Sequence, residues 1–467
     1  MEEKSRGSFG GSLGFVLAAA GSAVGLGNIW RFPYLAARDG GGLFLVVYLI
    51  LAITFGFTLL TTEVAIGRKT KQSPLTAYKK LNEKYGFVGV LACMVPFMIM
   101  PYYSVIGGWV VKYFIAFATG HGAEAAEDGY FTGFITHQTE PIIMMIIFLV
   151  ACAVIIYMGV DKGIESSSRI IMPILLVLVI GIAVFSLTIK HTNDSGDVVT
   201  GLQGLKVYVI PSLKGVGIKE FFFVVTDALG QLFFSLSIAM GIMIAYGSYV
   251  PDDANLVKSI NQIEIFDTAV AFLAGVMIIP AVYVFNGTDG MSAGPSLMFV
   301  ALPKIFVAMG KAGNIIGTMF FAMVLFAAVT SGMSVLEAVV SSFIDKFNME
   351  RQSATVVETI AALVIGVIVC LGYNKLYFEV PLPNGSTAQI LDILDYISNS
   401  VLMPIVAILT CILVGWVIKP STIIEESTKN GEKFGRKGLY IAMIKFIAPV
   451  LLIILFMISV GIVRFKS

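Results

Sequence analysis

Apolar runs of about 20 residues, long enough to cross a bilayer, recur along the whole chain and are parted by shorter polar stretches. They lie near residues 12–37, 42–67, 86–118, 141–159, 169–189, 221–249, 263–284, 313–343, 354–373, 390–418 and 438–463. The pattern predicts about eleven transmembrane helices.

The first run is interrupted. Residues 21–33 read GSAVGLGNIWRFP, with Gly21, Gly25 and Gly27 close together, and each glycine costs about 1 kcal/mol relative to Ala inside a helix. The flanks look like two halves of one span, so the expected element is a helix broken near the bilayer midplane. Lipid cannot satisfy the backbone groups that a break frees, so a break lasts only where protein buries it or where it lines a polar cavity. Half-helix N-termini there face anions, and unwound carbonyls face cations. Two other readings stay open: glycines that let a neighbouring helix approach closely, and a cleavable secretory signal. Two early glutamates and the many later spans count against the signal.

A second interruption comes five spans later, where GQLFFSLSIAMG (230–241) sets Ser235, Ser237 and Gly241 between apolar flanks. Two broken segments in corresponding positions point to an inverted repeat with a binding site at its interface. Its halves would be residues 12–189 and 221–418, with an extra helix at 438–463. Taken alone, the serines could bond back to their own helix. In the eighth run, FAAVTSGMS (326–334) places Thr330 beside Ser331. Such hydroxyls either join helices or serve a hard cation, which wants several oxygens. Asp267 is the only acid of FDTAVAFLAGVMIIP in the seventh run. At membrane depth an acid is functional by default; near the water interface it is merely solvated.

Of 467 residues, 57% are hydrophobic and 13% charged, and mean hydropathy is +0.90. This is an all-α polytopic membrane protein, not a soluble domain. A net charge of +1 gives no reason to expect nucleic acid. Cys93, Cys152, Cys370 and Cys411 fall inside apolar runs, and His121, His137 and His191 stand singly in connections. Neither a disulfide framework nor a metal cluster is implied, and no acid/base pair or nucleophile triad suggests an enzyme. Lys and Arg crowd the connections 68–85 and 419–437 and, as Lys4 and Arg6, the N-terminus. The positive-inside rule then puts the N-terminus in the cytoplasm, and the acidic 121–140 loop and the C-terminus outside. Lys190, Lys206, Lys214 and Lys219 go against the trend, in a long loop that the rule constrains weakly.

With GSAVGLGNIWRFP, the GGG at 40–42, Glu63, the Tyr102–Tyr103 pair, FFSLS and AAVTSG in hand, the chain resembles the neurotransmitter:sodium symporter family, from about residue 6 to the end. It is similar to the eleven-helix bacterial members. The resemblance implies a LeuT-like 5+5 inverted repeat with broken helices 1 and 6. It also implies two sodium ions, an L-amino acid partner, no organic cofactor and a bacterial inner-membrane location.

The resemblance also implies site residues. The first sodium would be held by the Ala23 carbonyl, Asn28, Ser235, Asp267 and the substrate carboxylate. The second would be held by carbonyls of Gly21, Val24 and Ala327 and the hydroxyls of Thr330 and Ser331. The carboxylate would meet the amides of Gly25, Leu26 and Gly27 and the Tyr103 hydroxyl. The ammonium would meet carbonyls of Ala23, Phe234 and Ser237. The side-chain pocket would be Ile99, Phe234, Ser237, Met240, Ser331 and Val335, with Tyr103 and Phe234 as its lid. Arg31 with Asp395 would gate the outside. Arg6 with Asp345, beside Phe9, Ser248 and Tyr249, would gate the inside. Glu63 would brace the unwound part of helix 6.

Departures from the family sharpen the expectation. Amine-transporting relatives carry an Asp at the position of Gly25, so its absence here argues for an amino acid substrate. Many relatives have a neutral Asn at position 267, with a chloride-linked Ser or a Glu one turn on. This chain has Asp267 followed by Ala271, which implies that chloride is not required. Relatives commonly have Gly where Ala239 stands. Met240 replaces a bulkier aromatic of the leucine-selective member, and Met is adaptable, so a roomy pocket for aromatic and large aliphatic amino acids is expected. Gly163 and Pro173 enclose the inner end of helix 5 in a spacing the family tends to keep. Pro173 cannot donate to the Arg169 carbonyl, so local unwinding is expected there. The function implied is sodium-coupled symport by alternating access; the alternative is a membrane amino acid sensor using the same pocket.

Overall fold

The computed structural model describes residues 7–192, 196–212, 216–287 and 294–463. Among them the chain is mostly helical, with two short antiparallel pairs in the connections, Lys190–Thr192 against Val198–Thr200 and Val380–Pro381 against Thr387–Ala388. Nine helices among the described residues are long and apolar enough to cross a bilayer: Gly42–Thr70, Glu83–Ala118, Glu140–Tyr157, Val160–Thr188, Leu256–Asn286, Gly310–Phe347, Arg351–Leu371, Ile390–Val417 and Lys437–Ser459. Two further spans are broken, as their glycines and serines predict. The first is Ser12–Ala23 with Gly27–Arg38, and the sixth is Ile218–Ser235 with Ile242–Ser248.

Several helices run past the apolar pattern. The fifth begins at Val160, not near 169: the polar run DKGIESSSR is helical, a π-type turn over Val160–Glu165 leading into Ser166–Thr188. Gly159 turns the chain ahead of it with φ of 100°, a conformation only glycine adopts cheaply. The seventh begins at Leu256, not 263, because the Asn255 side chain accepts the Lys258 amide at 2.8 Å and caps it. Hydropathy marks where lipid begins; capping and turns mark where the helix does.

The third and eighth spans form the centre. Within the most apolar window of each, 72% is buried inside the protein, against 33% for the fourth and fifth and 28% for the eleventh. Small residues let the central helices close on their neighbours. A Cβ on Gly317 would stand 2.3 Å from Phe117, and one on Gly108 would stand 2.6 Å from the Met145 nitrogen. The second span grips the inner half of the sixth in the same way. There a Cβ on Gly67 would fall 2.0 Å from the Ile244 carbonyl oxygen. The four cysteines are free and buried.

Candidate functional site

The two breaks face each other at the centre of the bundle. Ser12–Ala23 ends where Val24, its amide still bonded to the Ala20 carbonyl at 2.8 Å, takes ψ of 86° and carries its own carbonyl out of the helical ladder. The helix resumes with a π-type turn over Gly27–Arg31, and the halves meet at 55°. In the sixth span Ser237, Ala239 and Gly241 have φ of 54°, 62° and 72°. For the serine and the alanine this conformation costs about 1–2 kcal/mol each. Glu63 of the second span holds the strained loop, its Oε1 accepting the Ala239 amide at 2.7 Å.

One cavity lies between the breaks. Ala23, Gly25, Leu26 and Gly27 line it from the first span, and Ile99 and Tyr103 from the third. Phe234, Ser235, Ser237 and Met240 come from the sixth, and Ser331 and Val335 from the eighth. All the residues expected around an amino acid are thus brought together, with Ser22, Asn28 and Ile242 added. The free volume is about 30 Å³, space for one or about two waters. Close approach demands the glycines: a Cβ on Gly25 would lie 2.8 Å from Ser331 Oγ, and one on Gly27 would lie 2.9 Å from the Phe234 ring. Tyr103 Oη is buried at this wall without a hydrogen-bond partner among the described residues.

Beside the cavity is a cluster of buried oxygens. Asn28 Nδ2 and Ser235 Oγ both donate to Asp267 Oδ1 at 2.8 Å, and Ser235 Oγ also lies 3.0 Å from Asn28 Oδ1. Asp267 and Asn28 are wholly buried, so Asp267 is not a solvated interfacial acid. No Lys, Arg or His forms an ion pair with it among the described residues. A buried carboxylate with neutral partners is costly, and a small hard cation among these oxygens would neutralise it. The donor set fits sodium better than a transition metal. Two contacts went unread in the sequence. Tyr48 Oη donates to Asp267 Oδ2 at 3.4 Å, and Gln231 Nε2 donates to the Gly27 carbonyl at 3.1 Å. Gln231 could have been noticed as the polar residue inside the second interruption; Tyr48 carries no such signal.

Four residues of the second expected ion set, Gly21, Ala327, Thr330 and Ser331, also come together. Ser331 Oγ is 3.1 Å from the Ser22 carbonyl and 3.4 Å from that of Gly21. A Cβ on Gly21 would touch Thr330 at 3.2 Å. Thr330 Oγ1 bonds back to the Phe326 and Ala327 carbonyls at 3.0 and 3.1 Å. The hydroxyls of the eighth span therefore divide: one stays with its own helix and the other reaches the first span.

The two expected gates differ. Arg31 and Asp395 are not joined by an ion pair in this structure. Asp395 instead accepts Asn399 Nδ2 at 2.5 Å, one turn along its own helix, and Asn399 also donates to Tyr102 Oη at 3.2 Å. Arg31 lies against Gly230 of the sixth span, where the charges of Asp227 and Asp395 both act on it. At the opposite end Arg6 falls outside the described residues. Asp345 accepts the Ser73 amide at 2.6 Å. Phe9 is anchored there, its amide donating to the Tyr249 carbonyl at 3.1 Å and its ring edge-on to Tyr246 at 5.7 Å. Glu165 of the fifth span, ahead of the apolar run at 169–189, accepts the Gly10 amide at 2.7 Å and fills the space left by Gly14.

Comparisons with known proteins agree with one another. A sequence profile of the sodium:neurotransmitter symporter family matches residues 6–124 and 131–467. The chain is 33% identical to the sodium-dependent transporter YhdH of Bacillus subtilis, over the full length of both. It is 31% identical to a sodium-dependent transporter of Methanocaldococcus jannaschii, over 97% of this chain and 90% of the other. The crystal structure of MhsT in complex with L-phenylalanine superposes with a TM-score of 0.84 at 34% identity, covering 97% of this chain and 100% of that one.

Proposed function

The chain belongs to the sodium:neurotransmitter symporter family and is a sodium-dependent, multi-pass membrane transporter; from that premise we propose that it imports a hydrophobic or aromatic L-amino acid together with two sodium ions, without chloride. The observation that carries this reading is the meeting of both helix breaks at one cavity, with the Asp267–Asn28–Ser235 oxygens at its side.

The first sodium sits among those oxygens with the Ala23 carbonyl and the substrate carboxylate, so ion and substrate share a ligand. The second sits among the carbonyls of Gly21, Val24 and Ala327 and the hydroxyls of Thr330 and Ser331. The carboxylate takes the amides of Gly25 to Gly27 and the Tyr103 hydroxyl. Apolar Ile99, Phe234, Met240 and Val335 favour a hydrophobic side chain, and the L-phenylalanine bound by MhsT supports that class. Asp267 supplies the negative charge that chloride would bring, a reading supported by Tyr48 donating to it.

The protein lies in a bacterial inner membrane with its N-terminus in the cytoplasm, as the Lys and Arg of 68–85 and 419–437 favour. Residues 12–189 and 221–418 form the two repeats. Arg31 and Asp395 close the outer side after loading, Arg6 and Asp345 guard the inner side, and rocking of the broken helices exposes the site alternately. Two sodium ions with one zwitterion carry two charges, each worth about 2.3 kcal/mol per 100 mV.

Uptake of labelled hydrophobic amino acids into proteoliposomes, under an inward sodium or potassium gradient, tests this reading. Sodium-driven accumulation above equilibrium is expected, and competition names the substrate. Sodium-dependent binding without accumulation would instead make the protein a sensor.

A further inference from the structure

Ser22 stands between two expected sodium ligands, Gly21 and Ala23, and is itself neither an expected ion ligand nor an expected substrate contact. Its carbonyl accepts the hydroxyl of Ser237 at 3.2 Å and that of Ser331 at 3.1 Å. It thereby ties the second break and the eighth span to the first break. Its own Oγ is 3.2 Å from Ser237 Oγ. All three serines are buried and line the central cavity.

A serine hydroxyl has one proton and two lone pairs. Ser237 and Ser331 each direct that proton to the Ser22 carbonyl, so in the Ser22–Ser237 pair the donor is Ser22 Oγ. Both partner hydroxyls then turn only lone pairs toward the cavity. Ser237 depends on this hold, since its backbone is left-handed and no helix fixes its side chain.

We propose that Ser22 is a positioning residue: its carbonyl takes the Ser237 proton and its hydroxyl donates to Ser237 Oγ, and the two contacts together hold that hydroxyl as an acceptor for a cation. The Ser237 hydroxyl then receives the ammonium of the amino acid, beside the carbonyls of Ala23, Phe234 and Ser237 expected around it. The inference rests on the transport reading above and deepens it by naming the feature selected, a protonated amine on the α-carbon. A ligand with a hydroxyl there brings one proton and no charge, and a site built of acceptors rejects it.

The test is sodium-dependent binding of labelled L-phenylalanine to the purified full chain, with unlabelled L-phenylalanine and L-phenyllactate, its 2-hydroxy analogue, as competitors. Ser22→Ala, which keeps the carbonyl and loses only the hydroxyl that donates to Ser237, should weaken L-phenylalanine about three- to tenfold, the range for one buried hydrogen bond. It should leave L-phenyllactate within about twofold, so the preference for the amine narrows. Ser22→Thr, which keeps the hydroxyl, should restore it. Ser237→Ala should narrow it similarly, and the double substitution should add nothing further. A merely structural loosening would weaken both ligands equally. An unchanged preference in Ser22→Ala, a Thr variant that fails to restore it, or additive effects would overturn the inference. Absence of sodium-dependent L-phenylalanine binding in the unmodified protein would instead overturn the substrate reading beneath it.

Discussion

The Ala239 amide donates to Glu63 Oε1 at 2.7 Å, tying the most strained part of the sixth span to a buried acid of the second. Ala239 has φ of 62°, where a Cβ costs about 1–2 kcal/mol and glycine gives back about 0.4–1 kcal/mol through the unfolded chain. Ala239→Gly should therefore be neutral or stabilising by up to about 1.5 kcal/mol, and Ala239→Val should be destabilising. Thermal unfolding of both variants in one detergent checks the order. A destabilised Gly variant would show that the methyl is packed to advantage.

Gly25 is required for room. Its Cβ would sit 2.8 Å from Ser331 Oγ, so Gly25→Ala should push that hydroxyl off the Gly21 and Ser22 carbonyls. Half-saturation by sodium should rise about tenfold, equivalent to about 1.4 kcal/mol, while the folded yield stays near normal. Equal sodium dependence in the two proteins would refute the placement of the second ion at Ser331.

In the proposed function Asp267 brings the negative charge of the first ion set. In Asp267→Asn an amide oxygen still accepts from Asn28 and Ser235, but the negative charge is gone. Transport should become chloride-dependent or cease, measured as uptake with chloride or gluconate as the only anion. Uptake indifferent to both the substitution and the anion would sink the idea of charge replacement.

The inner end of the fifth span should open with the transport cycle. Pro173 leaves the Arg169 carbonyl without its helical donor. The turn at Val160–Glu165 is tied to the first span through Glu165 and the Gly10 amide at 2.7 Å. Hydrogen exchange of residues 161–173 should be slow in sodium and several-fold faster in potassium. Equal protection in the two salts would count against unwinding here as the inner water path.

Local sequence determined the spans and their two breaks, because hydropathy and glycine or serine content act within one helix turn. GSAVGLGNIWRFP and GQLFFSLSIAMG break where their composition makes a helix weak, and Asp267, Thr330 and Ser331 stand out as polar residues in apolar runs. Tertiary structure decided what those residues meet. Glu165 stands in a polar stretch that names no partner for it, yet it packs under Gly14, 151 positions earlier in the chain. Asp395 bonds Asn399 rather than Arg31, since the gap between two helices is set by packing and not by charge pattern. Ser22 became a hub only when chain segments separated by 215 and 309 positions brought Ser237 and Ser331 to its carbonyl. A hydrogen bond reaches about 3 Å, and no pattern along one chain specifies which distant hydroxyl will stand within that reach.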